Sequence, residues 1–136
     1  MRVNPYLNFN GDCAEAFKFY EKCLKGKITV MLPVAESPAA SQFPPEWGQK
    51  ILHVTLTVGD EMIQGSDALS PHFDKPQGFA VTIALQDSVE AERIFKALSE
   101  GGNVSMPMQE TFWAERFAMF VDRFGTPWMI NCGKTA

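Results

Sequence analysis

The sequence predicts an α+β fold of two βαβββ modules related by an internal repeat. Two observations predict it. The stretches "DCAEAFKFYEKCLKG" (residues 12–26) and "DSVEAERIFKALSEG" (residues 87–101) superimpose at a constant offset of 75 residues. Each is preceded by one strand-like run and followed by three. A single module leaves one sheet face bare, whereas two can share a core. We therefore expect one domain over residues 1–136, with repeat halves of about 1–66 and 78–136 and a linker of about 67–77.

The elements follow in order. "PYLNF" is the first strand, and the first repeated stretch is a helix. Asp12 suits its N-cap, because a carboxylate can accept from free N–H groups of the first turn; Glu15, three residues on, completes a capping box. Ala16, Phe19, Tyr20 and Cys23 recur at helical spacing, and Gly26 is the expected stop. "KITVMLPV", "ILHVTLTV" and "EMIQGS" are the next three strands. "PVAESPAASQFPPEWGQK" holds four prolines and no periodic pattern, so it reads as a long loop of the kind that forms lids or binding arms.

The second half repeats this order. "FAVTIAL" precedes a helix capped by Asp87 and Glu90, with Ala91, Ile94, Phe95 and Leu98 on its apolar face and Gly101 beyond its end. "NVSM", "RFAMFVD" and "PWMINC" are its remaining strands, and "PMQETFWAE" fills the place of the long loop. In "DRFGTPWMIN", Asp122 and Gly125 supply turn chemistry ahead of the last strand.

Composition narrows the function classes. At 136 residues and 46% hydrophobic, the chain buries roughly two-thirds of its extended surface and needs no staples. The net charge is -4, without the basic surplus of a nucleic-acid binder. No apolar run approaches the ~18 residues of a membrane span, and no secretory signal pattern opens the chain, so a cytoplasmic protein is expected. Cys13, Cys23 and Cys132 lack metal-site spacing and form an odd set, which suits small buried hydrophobes.

Alternation in "ILHVTLTV" puts Leu52, Val54, Leu56 and Val58 on one face and His53, Thr55 and Thr57 on the other. The polar face is the place for a ligand, and a histidine there can donate, accept or transfer a proton. Trp47, Phe112, Trp113 and Phe117 gather at the two loops, where aromatic walls suit a planar ligand or a subunit contact. Asp67 and Asp122 read as turn acceptors. His72, between Pro71 and Phe73, reads as an exposed linker residue.

The paired module, with "PYLNFNGDCAEAFKFY", "HVTLTVGDEMIQGSD" and "GGNVSMPMQETFWAERFAMFVDRFGTPWMIN", resembles the vicinal oxygen chelate superfamily of glyoxalases, bleomycin-resistance proteins and extradiol dioxygenases, and most of all its PhnB-like branch. The resemblance implies eight strands in two curved, half-open mixed sheets, often completed as a homodimer. In the superfamily's metal enzymes, four inward His and Glu side chains hold a divalent ion. Aligned on Asp12, Asp87 and Gly125, those slots fall at Pro5, Gln64, Val81 and Met129, or, with a slip of one, at Tyr6, Ile63 or Gly65, Ala80, and Trp128 or Ile130; none is a good ligand for a hard ion. The methyltransferase label of PhnB-like sequences would imply an S-adenosylmethionine site, yet no G-x-G run is present.

The expected function is thus a cleft that binds a small organic molecule without metal or other cofactor, using Tyr6, His53, Gln64 and Trp113. The alternative is a lyase, isomerase or oxygenase of the vicinal oxygen chelate type. In it His53 is the catalytic base, or anchors a displaced divalent ion with Asp67 or Glu110. A third reading is a structural dimer whose cleft its own side chains fill.

Overall fold

A computed structural model of the chain describes residues 1–133. Two compact units divide at Asp74 and Lys75. Each has the order strand, helix, strand, strand, strand, and together they hold two four-stranded mixed sheets and two α-helices. In the first unit these are β1 (Tyr6–Phe9), α1 (Cys13–Leu24), β2 (Lys27–Pro33), β3 (Ile51–Val58) and β4 (Glu61–Asp67). In the second they are β5 (Val81–Leu85), α2 (Ser88–Ser99), β6 (Asn103–Gln109), β7 (Arg116–Val121) and β8 (Pro127–Cys132).

The sheet orders are β1-β4-β3-β2 and β5-β8-β7-β6. In each, the first strand lies parallel to the last and the other pairs are antiparallel. This follows from the module: a helix crossover returns the chain parallel, while direct connections, a short turn or a long loop, return it antiparallel.

Each helix covers one face of its own sheet. In α1 the buried residues Cys13, Ala16, Phe17, Tyr20 and Cys23 form one stripe. Phe17 meets Phe9 edge-on at 5.9 Å and Tyr20 at 5.6 Å, contacts worth about 0.5–1.5 kcal/mol each beyond burial. Gly65 of β4 lies under this stripe, where a Cβ would sit 2.7 Å from both Leu7 O and a Phe17 ring carbon. Only glycine permits that approach. In the second unit Ala91, Ile94 and Leu98 of α2 are buried, as are Phe120, Trp128 and Ile130 of the sheet, with Phe95 edge-on to Phe120 at 5.6 Å.

Helix ends differ from the sequence expectation in the first unit. Asp12 holds the N-cap position without a side-chain cap hydrogen bond. Asp67, at the end of β4, does the capping instead: its Oδ1 accepts from the N–H groups of Gly11 at 2.9 Å and Cys13 at 3.1 Å. Its Oδ2 accepts from Ile51 N–H at 2.8 Å, so one carboxylate ties α1, β3 and β4 together. At the other end Lys25, not Gly26, takes the left-handed conformation, at φ 54 and ψ 40. Asp87 caps α2 as expected, accepting from Val89 and Glu90 N–H, and Gly101 has φ +75. Glu90 pairs with Arg93.

The long loop after β2 winds through three short 3-10 turns, at Val34–Glu36, Ala40–Gln42 and Pro45–Trp47. β6 runs three residues past the expected "NVSM", through Pro107 to Gln109. β4 extends to Asp67, the residue at which the expected linker begins. Among the described residues no helix is long and apolar enough to cross a membrane.

Candidate ligand site

The face of the first sheet away from α1 carries the polar residues. Register fixes which ones. Tyr6 lies opposite Gln64 and Asn8 opposite Ser66, while Thr55 of β3 pairs with Gln64. Leu7 and Phe9 go to the core, so Tyr6 and Asn8 stand on the open side. His53, two residues before Thr55, shares its face.

These side chains form a continuous strip. Gln64 Nε2 donates to Thr55 Oγ1 at 3.3 Å. Thr55 Oγ1 and His53 Nε2 lie 3.1 Å apart. His53 Nδ1 lies 3.2 Å from the Tyr6 hydroxyl, and the two rings stack at 5.8 Å with 25° between planes. One end is open, with Tyr6 46% exposed, and the middle is buried, with Thr55 6% exposed. Ser66 Oγ donates to Asn8 Oδ1 at 3.4 Å beside it.

The structure thus brings three of the four sequence-predicted residues together: Tyr6, His53 and Gln64. Thr55 is a member that sequence reasoning left out, although its i, i+2 spacing from His53 was the available signal. Trp113 lies in the second unit, edge-on to Phe112 at 4.8 Å and to Phe117 at 5.2 Å. A tight turn presents this group: Thr111 N–H donates to Ala114 O and Ala114 N–H to Thr111 Oγ1. Phe112 is 90% exposed at its tip. Trp47 contacts Phe43 of its own loop at 5.5 Å.

The second sheet's open face has a different character. Thr82 lies opposite Met129, and Met119 pairs with Met129. A groove of about 320 Å³ opens there, lined by Phe79, Met119 and Met129 among others. Its one hydroxyl-bearing side chain, Ser105, donates to Met119 O and so offers no free hydrogen to orient a ligand. None of the four sequence-predicted residues lines it.

The fold implies a divalent ion, and the donors can be tested against it. In strand register Tyr6, the one-residue alternative to Pro5, lies opposite Gln64, and Thr82, next to Val81, lies opposite Met129. The corrected set is a phenol, an amide, a hydroxyl and a thioether, with no carboxylate. Hard divalent ions need carboxylate oxygen or imidazole ligands in number, so these residues do not fit one. Among the described residues no group of three His, Cys, Asp or Glu could hold a metal. Asp67, one of the two carboxylates offered for a displaced site with His53, instead serves three backbone N–H groups on the helix side of the sheet. Both ring nitrogens of His53 have partners, Nδ1 the Tyr6 hydroxyl and Nε2 the Thr55 hydroxyl.

The three cysteines are buried and none is in a disulfide, as their pattern suggested. Burial pushes the Cys13 thiol far up, helped by Asp67 and Asp12, and burial raises Cys132 as well. Neither is a reactive thiol. Asp122 caps the last turn: Oδ1 accepts from Phe124 and Thr126 N–H at 2.9 and 3.0 Å, and Oδ2 from Trp128 Nε1 at 2.8 Å. The turn before the last strand is therefore a structural lock.

Residues 1–131 match the family model described as 3-demethylubiquinone-9 3-methyltransferase. The chain belongs to this PhnB-like family. Protein YjdN of Escherichia coli K12 is 32% identical over 98% of this chain and 97% of its own length. The crystal structure of protein PA1353 from Pseudomonas aeruginosa is similar at a TM-score of 0.87, with 43% identity and 97% of each chain covered. The PhnB protein from Bacillus cereus shares the fold at a TM-score of 0.81, with 17% identity over 98% of this chain and all of that one. Module order and sheet topology are those of the glyoxalase/bleomycin resistance/dioxygenase, or vicinal oxygen chelate, superfamily. The family's name describes methyl transfer. Two mixed four-stranded sheets, each with one helix, do not provide the doubly wound parallel sheet and Gly-rich turn that usually hold S-adenosylmethionine.

Proposed function

We propose that this PhnB-like protein binds a small organic molecule on the open face of its first sheet, through Tyr6, His53, Gln64 and Thr55, without the superfamily's metal quartet. The observation that supports the reading is the strip itself. Four polar side chains from three strands are joined by hydrogen bonds and end at a half-exposed phenol. A few placed polar groups on an otherwise apolar scaffold are the usual means of orienting a small ligand. Trp113, in its edge-to-face aromatic group, is proposed as an aromatic ligand contact on the second unit.

We also propose that the protein is a homodimer of the cytoplasm. The exposed rings of Phe112 and Phe79 favour a subunit contact, and three cysteines outside any disulfide suit a reducing compartment. Light scattering coupled to size exclusion measures the oligomeric state directly.

A thermal-shift screen of small metabolites, run with and without EDTA, tests the binding reading. Ligands that stabilise the protein equally in both series, and less in Tyr6→Phe and Thr55→Val, are the expected result. Stabilisation seen only when a divalent ion is supplied would instead favour a metal-dependent enzyme.

A further inference from the structure

Resting on the reading of the first-sheet face as a ligand site, we propose that Gln64, Thr55, His53 and Tyr6 form a hydrogen-bond chain with a single direction. It fixes His53 as the Nδ1–H tautomer and turns the Tyr6 hydroxyl outward, as donor to a carbonyl or carboxylate oxygen of the bound molecule.

The direction is set at Gln64. Its amide nitrogen donates to Thr55 Oγ1 at 3.3 Å and cannot accept. Thr55 is buried, and a buried hydroxyl must place its own hydrogen. Its side chain has two partners, Gln64 Nε2 and His53 Nε2, and only the imidazole nitrogen can take that hydrogen. Nε2 therefore carries no proton. A neutral imidazole then has its hydrogen on Nδ1, which faces the Tyr6 oxygen at 3.2 Å. Tyr6 accepts there, and its hydroxyl hydrogen is left to point away from the strip. The stacked rings hold this arrangement, and Tyr6 is the exposed end.

Successive hydrogen bonds polarise one another, so each donation upstream makes the phenol a better donor. A Gln64 amide turned the other way would read differently. If Gln64 presented its oxygen to Thr55, every bond would reverse and Tyr6 would spend its hydrogen on His53 Nδ1. The free end would then be a phenol lone pair, suited to an ammonium or N–H ligand. One side-chain amide thus selects the polarity of the ligand. His53 is a positioning residue here, acting through Tyr6.

Long-range 1H–15N correlation on the full chain carrying His72→Gln, which leaves His53 as the one histidine, reads the tautomer above the ordinary imidazole titration range. The expected result is a protonated Nδ1 and a bare Nε2. In Gln64→Glu, whose carboxylate can only accept, the two nitrogen signals should exchange places. Acetate should shift the Tyr6 ring signals while methylammonium leaves them in place, and the acetate response should vanish in Tyr6→Phe. A protonated Nε2 in the parent, signals unmoved by Gln64→Glu, or a Tyr6 that answers methylammonium rather than acetate overturns the direction. Those results leave the binding reading intact. That reading falls separately if no molecule of the metabolite screen contacts this face.

Discussion

Replacing Asp122 by asparagine probes the lock on the last hairpin, and its cost can be worked from the contacts. Asp122 is 3% exposed, and its carboxylate serves three N–H groups. An asparagine keeps one oxygen for Phe124 and Thr126, but its NH2 group faces the Trp128 indole N–H. A hydrogen bond to a charged group contributes about 1.5–3 kcal/mol, and a buried donor left unmet costs about 1–3 kcal/mol. We expect Asp122→Asn to lose about 2–4 kcal/mol in urea unfolding followed by far-UV circular dichroism. Trp128→Phe removes the indole donor, so Asp122→Asn should cost less on that background. The resulting coupling of about 1–3 kcal/mol is well above the ~0.5 kcal/mol within which independent sites add. Additive costs would refute the view that the Asp122–Trp128 bond locks the turn.

Further predictions concern the frame. Asp67→Ala strands three backbone N–H groups and should cost about 3–5 kcal/mol, whereas Asp87→Ala, loss of an ordinary helix cap, should cost about 1 kcal/mol; the same urea titration compares them. Gly65→Ala would drive a methyl against Leu7 O and the Phe17 ring, and should lower stability by about 2–4 kcal/mol, at or beyond the usual range for overpacking. Cys13 and Cys132 should resist iodoacetamide in the native state and react on unfolding, as mass spectrometry can count. Their thiols are raised in the folded state, so the unfolded chain ionises first as pH climbs past the ordinary thiol value. Their contribution to stability is therefore complete below that value and declines above it.

Much of this was legible in the sequence, because periodicity and repetition report local geometry. The spacing of Ala16, Phe19, Tyr20 and Cys23 gave the buried stripe of α1 in part, since Phe17 is buried there and Phe19 only half-buried, and alternation around His53 gave the polar face of β3. What was missed depends on contacts distant in sequence. Asp12 looked like the cap of α1, but Asp67, 54 positions from Cys13, does that work, and no local pattern signals it. Alignment alone left Pro5 and Tyr6 as alternatives, and named Val81 rather than Thr82; register puts Tyr6 opposite Gln64 and Thr82 opposite Met129, and a one-residue slip flips a side chain to the other face of a sheet. Trp113 was grouped with Tyr6, His53 and Gln64 from loop position alone, and the structure describes it within the second unit's aromatic group.

On the proposed reading the hydrogen-bonded strip of the first sheet, and no divalent ion, holds the ligand. Chemical-shift mapping of a thermal-shift hit, titrated into 15N-labelled protein in excess EDTA, addresses it most directly. The account predicts saturable shifts centred on Tyr6, His53, Thr55 and Gln64 with an affinity unchanged by the chelator. Shifts that disappear with EDTA, or that fall only on residues away from this face, would contradict it.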